Sequence, residues 1–190
     1  MFRKIMIYAA SFAAACGLNA CGQQGLPPAE GSKTGFALSF FKQVNKSSKG
    51  SENIVVSPYS AGAALSMLME GAQGQTRVEL DNALNGCVFS KQKLESGDSI
   101  VVKSANSVWI DSDFSVRNHY VNVLQNDYDA LVETLRFSDP ATVRAINNWC
   151  SEHTEGKIDE IVDRLTPGDV MVLLNALYFN APWEEKFDPG

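Results

Sequence analysis

The sequence predicts an α+β fold, and three observations carry that expectation. Apolar residues recur at helical spacing in several separate stretches, as Phe36, Ala37, Phe40, Phe41 and Val44 do. Two runs, Ile100 to Ile110 and Val170 to Phe179, read as strands, the second apolar on both alternating faces except at Asn175. Two cap-and-proline pairs, Ser57-Pro58 and Asp139-Pro140, mark helix starts, because the side-chain oxygen satisfies a free amide and proline has no N–H to leave unpaired.

The first residues stand apart from this pattern. Arg3 and Lys4 precede an apolar run from Ile5 to Gly17 that is short for a membrane span and has the shape of a signal peptide. The run closes on Leu18-Asn19-Ala20-Cys21, which resembles the lipobox of bacterial lipoproteins, cleaved before the cysteine and acylated on its sulfur; Asn19 departs from the usual small or aliphatic residue. The expectation is a signal peptide at 1–20, lipidation at Cys21, a flexible tether at 21–33 and a folded part from 34 to 190. An ordinary secretory signal and an uncleaved anchor are the alternatives. The expected location is the bacterial cell envelope, lipid-anchored and periplasmic or surface-exposed, or the exterior.

Loss of Arg3 and Lys4 would move the formal charge from −6 to −8. An acidic chain without a basic stretch is a poor match for nucleic acid, and no such partner is expected. Cys16 would leave with the leader and Cys21 would be acylated; pairing of Cys87 with Cys150 cannot be read from spacing.

The elements follow in order. Residues 34 to 45 form an amphipathic helix that stops at Lys46-Ser47-Ser48-Lys49-Gly50. Ile54-Val55-Val56 reads as a short strand. Ser57-Pro58 opens a helix to about Met69 whose small, uncharged surface suits burial on several sides. Thr76 and Glu79 have capping-box spacing for a third helix ending near Gly86. Residues 87–99 read as loop or weak helix, Ile100–Ile110 as a strand, 118 to about 127 as a helix and 131–135 as a strand. Asp139-Pro140 opens a helix with Val143, Ile146, Trp149, Cys150 and His153 on one face and a stop at Gly156. Val170 to Phe179 is apolar on both alternating faces except for Asn175, and such a strand needs cover on both sides. The sequence therefore reads as stopping before its fold is complete.

Three stretches resemble the serpin family. The first is Asn53 to Ser60, continuing through Ala64-Leu65, Met67 and Gly71-Ala72-Gln73-Gly74-Gln75-Thr76 to Leu80. The second is Ala105-Asn106-Ser107-Val108-Trp109-Ile110, with Phe114, Val116 and Tyr120. The third is Ile146-Asn147, Trp149, Thr154 and Gly156-Lys157-Ile158, then Asn175-Ala176-Leu177-Tyr178-Phe179, Trp183, Phe187 and Asp188-Pro189. Together, in this order, they are specific. The resemblance implies a partial serpin fold over 34–190: helices A to F and the first three strands of the large central sheet.

A serpin is implied to inhibit a serine protease by offering an exposed loop as substrate and inserting the cleaved loop as a strand of that sheet; serpins are themselves an instance of strand addition driven by stored strain. The resemblance further implies that one long edge of strand 170–179, bordering the gap where the loop inserts, has no partner and is a template for self-association. The reactive-centre loop belongs to the later half, so the partner implied for the complete domain is a serine protease, and inhibition by this chain alone is not expected. Ser57, Ser60 and Asn175 match the family's shutter positions, where buried polar groups can exchange partners as strands separate. Their plainer role is a helix cap and a satisfied core amide. In glycosaminoglycan-activated serpins the fourth helix is basic, but in the segment 87–99 of this chain only Lys91 and Lys93 are basic, beside Glu95 and Asp98, so heparin-type activation is not expected.

No catalytic residue, metal site or cofactor is expected. Cys150 and His153 lie three apart on one helical face, a spacing at which thiol and imidazole can meet, with Glu155 as a third metal-ligand candidate, but no orienting residue accompanies them. No Gly-x-Ser-x-Gly elbow is present. The reading that competes with a serpin inhibitor is a binding or structural envelope lipoprotein that reuses half of the fold.

Overall fold

The computed structural model describes residues 4–13, 31–48, 53–91, 97, 99–183 and 185, with only the backbone path given for 4–13. In chain order the elements are β1 (Lys4–Ala13), α1 (Lys33–Ser47), α2 (Pro58–Gly71), α3 (Gly74–Ala83), β2 (Val101–Asp111), α4 (Asn118–Tyr128), β3 (Ala130–Leu135), α5 (Pro140–His153) and β4 (Asp169–Asn180). The strands form one sheet in the order β1-β4-β2-β3. β4 runs antiparallel to β2, with Asn175 opposite Asn106 and Leu173 opposite Val108, and β3 runs parallel to β2.

Register and alternation divide the sheet into two faces. On one face Val108, Ile110, Met171 and Leu173 meet Ala64 and Met67 of α2 and Tyr120, Leu124 and Tyr128 of α4. On the other, Trp109, Val172, Leu174 and Ala176 meet Ile146, Trp149 and Cys150 of α5. β4 is thus covered on both faces by segments that precede it, which corrects the expectation that its cover must come from later chain. Its edge is also occupied: β1 pairs with it in parallel from Ile5 opposite Met171 to Ala13 opposite Phe179. The open edge expected at 170–179 is absent while residues 4–13 are in place.

The helix signals act largely as read. Ser57 Oγ accepts from Ser60 N at 3.1 Å and Asp139 Oδ1 from Ala141 N at 2.8 Å, each one residue before a proline at the helix start. α5 ends in a left-handed turn at Glu155 (φ 53°) and Gly156 (φ 67°), with the Gly156 N–H returning to Ser151 O at 2.8 Å. Two expectations fail. The capping box at Thr76 is unused: α3 already begins at Gly74, after Gln73, so Thr76 lies inside the first turn, and Glu79 instead accepts from the Gln75 amide at 3.2 Å. Residues 54–56 form no strand, because nothing among the described residues pairs with them, and Val55 stays 68% exposed. Five helices lie among the described residues. Residues 87–91 carry no helix, and 92–96 and 98, where a fourth family helix would fall, lie outside the description.

A third cluster joins α1 and α2 to the loop after α3, through Phe36, Ala61, Ala63, Met69, Leu84, Cys87 and Phe89. Several side chains pin the long connection from α5 to β4, among them Thr154, Asp169 and, with three bonds, Asn147. Asn147 donates to Val162 O at 2.8 Å and accepts from Ile161 N and Val162 N, each at 3.0 Å, so its amide closes a loop that has no regular backbone pairing of its own.

Candidate functional site

The polar residue in the middle of β4 lies on the face toward α2 and α4, as alternation from Leu173 requires. Asn175 is fully buried. Its Nδ2 donates to Asn106 Oδ1 at 2.9 Å and Ser104 Oγ at 3.1 Å, with Ala105 O at 3.4 Å. The orientation is dictated from outside: Asn106 Nδ2 donates to Tyr128 O at 2.8 Å, so its Oδ1 must face Asn175, and only an N–H can meet it. Asn175 Oδ1 is then buried with no hydrogen-bond partner among the described residues. An acceptor buried without any donor costs about 1–3 kcal/mol, so the strand holds a polar group that a further donor would stabilise.

The serines sit at the start of α2, the helix that packs across both β4 and β1. Ser57 Oγ donates to Ser60 Oγ at 2.9 Å while accepting from Ser60 N, and Ser60 is fully buried. Among the described residues no hydrogen bond joins this pair to Asn175. The structure therefore builds two separate polar nodes on one face of the sheet.

The tyrosines beneath the sheet are structural. Tyr120 Oη donates to Met67 O at 3.1 Å and Tyr128 Oη to Glu70 Oε1 at 3.0 Å. Burial, reinforced by the Glu70 carboxylate, raises both phenols well above their ordinary range, so they remain donors.

The thiol and imidazole candidates diverge. Cys150 is fully buried, and burial pushes its thiol up to about 11, the opposite of what a nucleophile needs. The His153 ring stacks on Trp149 and donates from Nδ1 to Trp149 O at 2.8 Å. Glu155 turns to Lys103 of β2, the pair holding Glu155 below and Lys103 above their usual ranges. Among the described residues no three His, Cys, Asp or Glu side chains gather to hold a metal. Cys87 and Cys150 are both free and buried in different clusters.

A family profile described as "Serpin (serine protease inhibitor)" matches residues 31–190. The chain belongs to the serpin family. It is 32% identical over 169 residues to an uncharacterised serpin-like protein of Methanosarcina acetivorans, covering 80% of this chain and 40% of that protein. It is 35% identical over 172 residues to the leukocyte elastase inhibitor of Sus scrofa, covering 81% and 44%. Among solved structures, the thermophilic serpin tengpin in its latent state superposes with a TM-score of 0.73 at 30% identity, over 83% of this chain and 45% of that one. The chain thus spans about two fifths of the length of the serpins it matches.

Sequence reasoning named Ser57, Ser60 and Asn175 of this serpin but missed Ser104 as a partner of Asn175. It quoted Asn106 only as part of a motif. Its place opposite Asn175 follows from the antiparallel register, which no local signal in either strand specifies.

Proposed function

We propose that this chain supplies the central-sheet half of a serpin that inhibits serine-type endopeptidases by loop insertion, and that Ser57, Ser60 and Asn175 form its shutter. The observation that supports this reading is the buried, half-satisfied amide of Asn175 in the middle of an otherwise apolar strand. A purely structural strand gains nothing from a buried acceptor without a protein partner, whereas a strand that must change neighbours gains a group able to bond the next one.

By the same reading the 190 residues do not trap a protease by themselves. Incubated with trypsin-like, chymotrypsin-like and elastase-like enzymes, the chain is expected to give no complex that survives a denaturing gel. Joined to the portion of the domain that its longer relatives carry, it is expected to give one. A stable complex from the 190-residue chain, or none from the extended one with any of the enzymes, would refute the proposal.

We further propose that the serpin is anchored in the bacterial envelope through lipid on Cys21, outside the described residues. The support is the cationic start, the short apolar run and the Ala20-Cys21 junction. Labelled palmitate should enter the protein in cells, and labelling undiminished in a Cys21→Ser variant would count against it. Where residues 1–20 are removed, the edge of β4 is left for another strand, and self-association through 170–179 follows from its uncharged, proline-free sequence.

A second reading, a self-sufficient envelope protein that inhibits nothing, is favoured by the cover on both faces of β4 and by β1 at its edge. Cooperative unfolding of a monomer would support it.

A further inference from the structure

We infer that residues 4–13 act as a built-in plug for the edge of the central sheet, and that the plug is an incomplete one. The inference does not depend on protease inhibition. β1 follows β4 residue for residue over nine pairs after a single irregularity between Lys4 and Ile5. α2 packs against β1 as well as β4, so the added strand lies on the same helical support as the rest of the sheet. A strand like β4, with no charge or proline from Val170 to Phe179, has a row of backbone donors and acceptors on each side. β2 takes one row, and β1 takes the other.

The incompleteness lies at one position. The residue opposite Asn175 on β1 is Ala9, and alanine has no polar side-chain atom. Paired residues of neighbouring strands share a face of the sheet. Position 9 is thus the place from which a donor would reach the orphaned Oδ1 of Asn175. β1 satisfies the backbone of β4 and offers no side-chain donor to the buried Oδ1 of Asn175. A plug of this kind holds the edge closed yet is displaceable, and its removal with residues 1–20 would open the edge at that moment.

Hydrogen exchange of the full 190-residue chain, read by mass spectrometry, tests this. Segment 170–179 should be protected in the unaltered chain. In Ile7→Pro, which removes a β1 donor and disturbs its pairing, exchange there should rise at least tenfold, while Ser107 to Ile110 and Leu131 to Leu135 stay protected through the β2–β3 pairing. In Ala9→Thr, which places a hydroxyl and a β-branched side chain opposite Asn175, exchange of 170–179 should slow about fivefold, the effect of one added hydrogen bond of about 1 kcal/mol. Unchanged exchange in Ile7→Pro with the other strands intact would overturn the inference. If Ile7→Pro loses protection throughout, Ala9→Thr decides: slowing supports the plug, and no slowing overturns it.

Discussion

A Leu173→Lys chain is expected to lose its cooperative fold, with a loss of at least about 4 kcal/mol read from urea unfolding followed by circular dichroism. Leu173 is fully buried in the cluster that joins the sheet to α2 and α4, where Met67, Val108 and Leu124 also lie. The carboxylate hydrogen-bonded to a member of that cluster, Glu70, already accepts from Tyr128 Oη and faces Arg77. An unpaired charge there costs several kcal/mol in desolvation, beside about 2 kcal/mol or more of lost apolar burial. Domains of this kind are stable by only about 5–15 kcal/mol in total. The substitution suggests itself from sequence as a way to make an exposed strand edge repulsive, but in the fold it strikes the face of the sheet rather than the edge. Because an edge is made of backbone, only a backbone change such as proline probes it cleanly. A midpoint within experimental error of the unaltered chain would show that α2 and α4 do not cover β4 as described.

Gly62→Val should cost about 3 kcal/mol, the upper end of the usual overpacking range, and should loosen the junction of α1, α2 and the loop after α3. A Cβ at position 62 would stand 2.6 Å from Cδ2 and 2.7 Å from Cε2 of Phe89. The ring has little freedom to retreat. It packs edge-on to Phe36 at 5.3 Å and to Tyr59 at 6.3 Å, and its own backbone N–H is fixed to Ser66 Oγ at 3.0 Å. Valine adds two methyl groups to that clash. Gly71→Ala is the internal comparison: its Cβ would meet Tyr120 at 3.2 to 3.4 Å, a contact that a shift of a few tenths of an ångström relieves. Thermal melts should therefore separate the two variants, with Gly71→Ala lowering the midpoint far less. Equal midpoints would mean that the Phe89 ring moves freely and that the third cluster is loosely packed.

The parts of this serpin legible in the sequence are those decided within a turn or two of chain. Ser57-Pro58 and Asp139-Pro140 open helices at the expected residues because a cap bond spans only two or three positions. The left-handed turn at Glu155 and Gly156 ends α5 for an equally local reason, a backbone angle that costs the glycine nothing. The ordered motifs around Asn53–Leu80, Ala105–Ile110 and Asn175–Phe179 were enough to point to the family. Local signals failed where a partner distant in sequence had the last word. The Ile54–Val56 run has strand composition but no neighbour, and composition does not make a ladder. The Thr76–Glu79 box had the right spacing, yet α3 starts two residues earlier and leaves it unused.

The sequence by itself therefore determined the helices, the long strands, the family and the identity of Asn175 as the one polar residue in an apolar run. Only the tertiary structure decided what surrounds that residue. Register set Asn106 opposite it, Tyr128 O turned the Asn106 amide, and that turn left Asn175 Oδ1 without a donor. The same holds for the edge of β4, which the sequence presents as open and the fold closes with a segment from the other end of the chain. The physical reason is one of range: caps and periodicity act over a few residues, whereas strand pairing joins residues about 70 or more positions apart in both cases, and no local pattern specifies which of them meet.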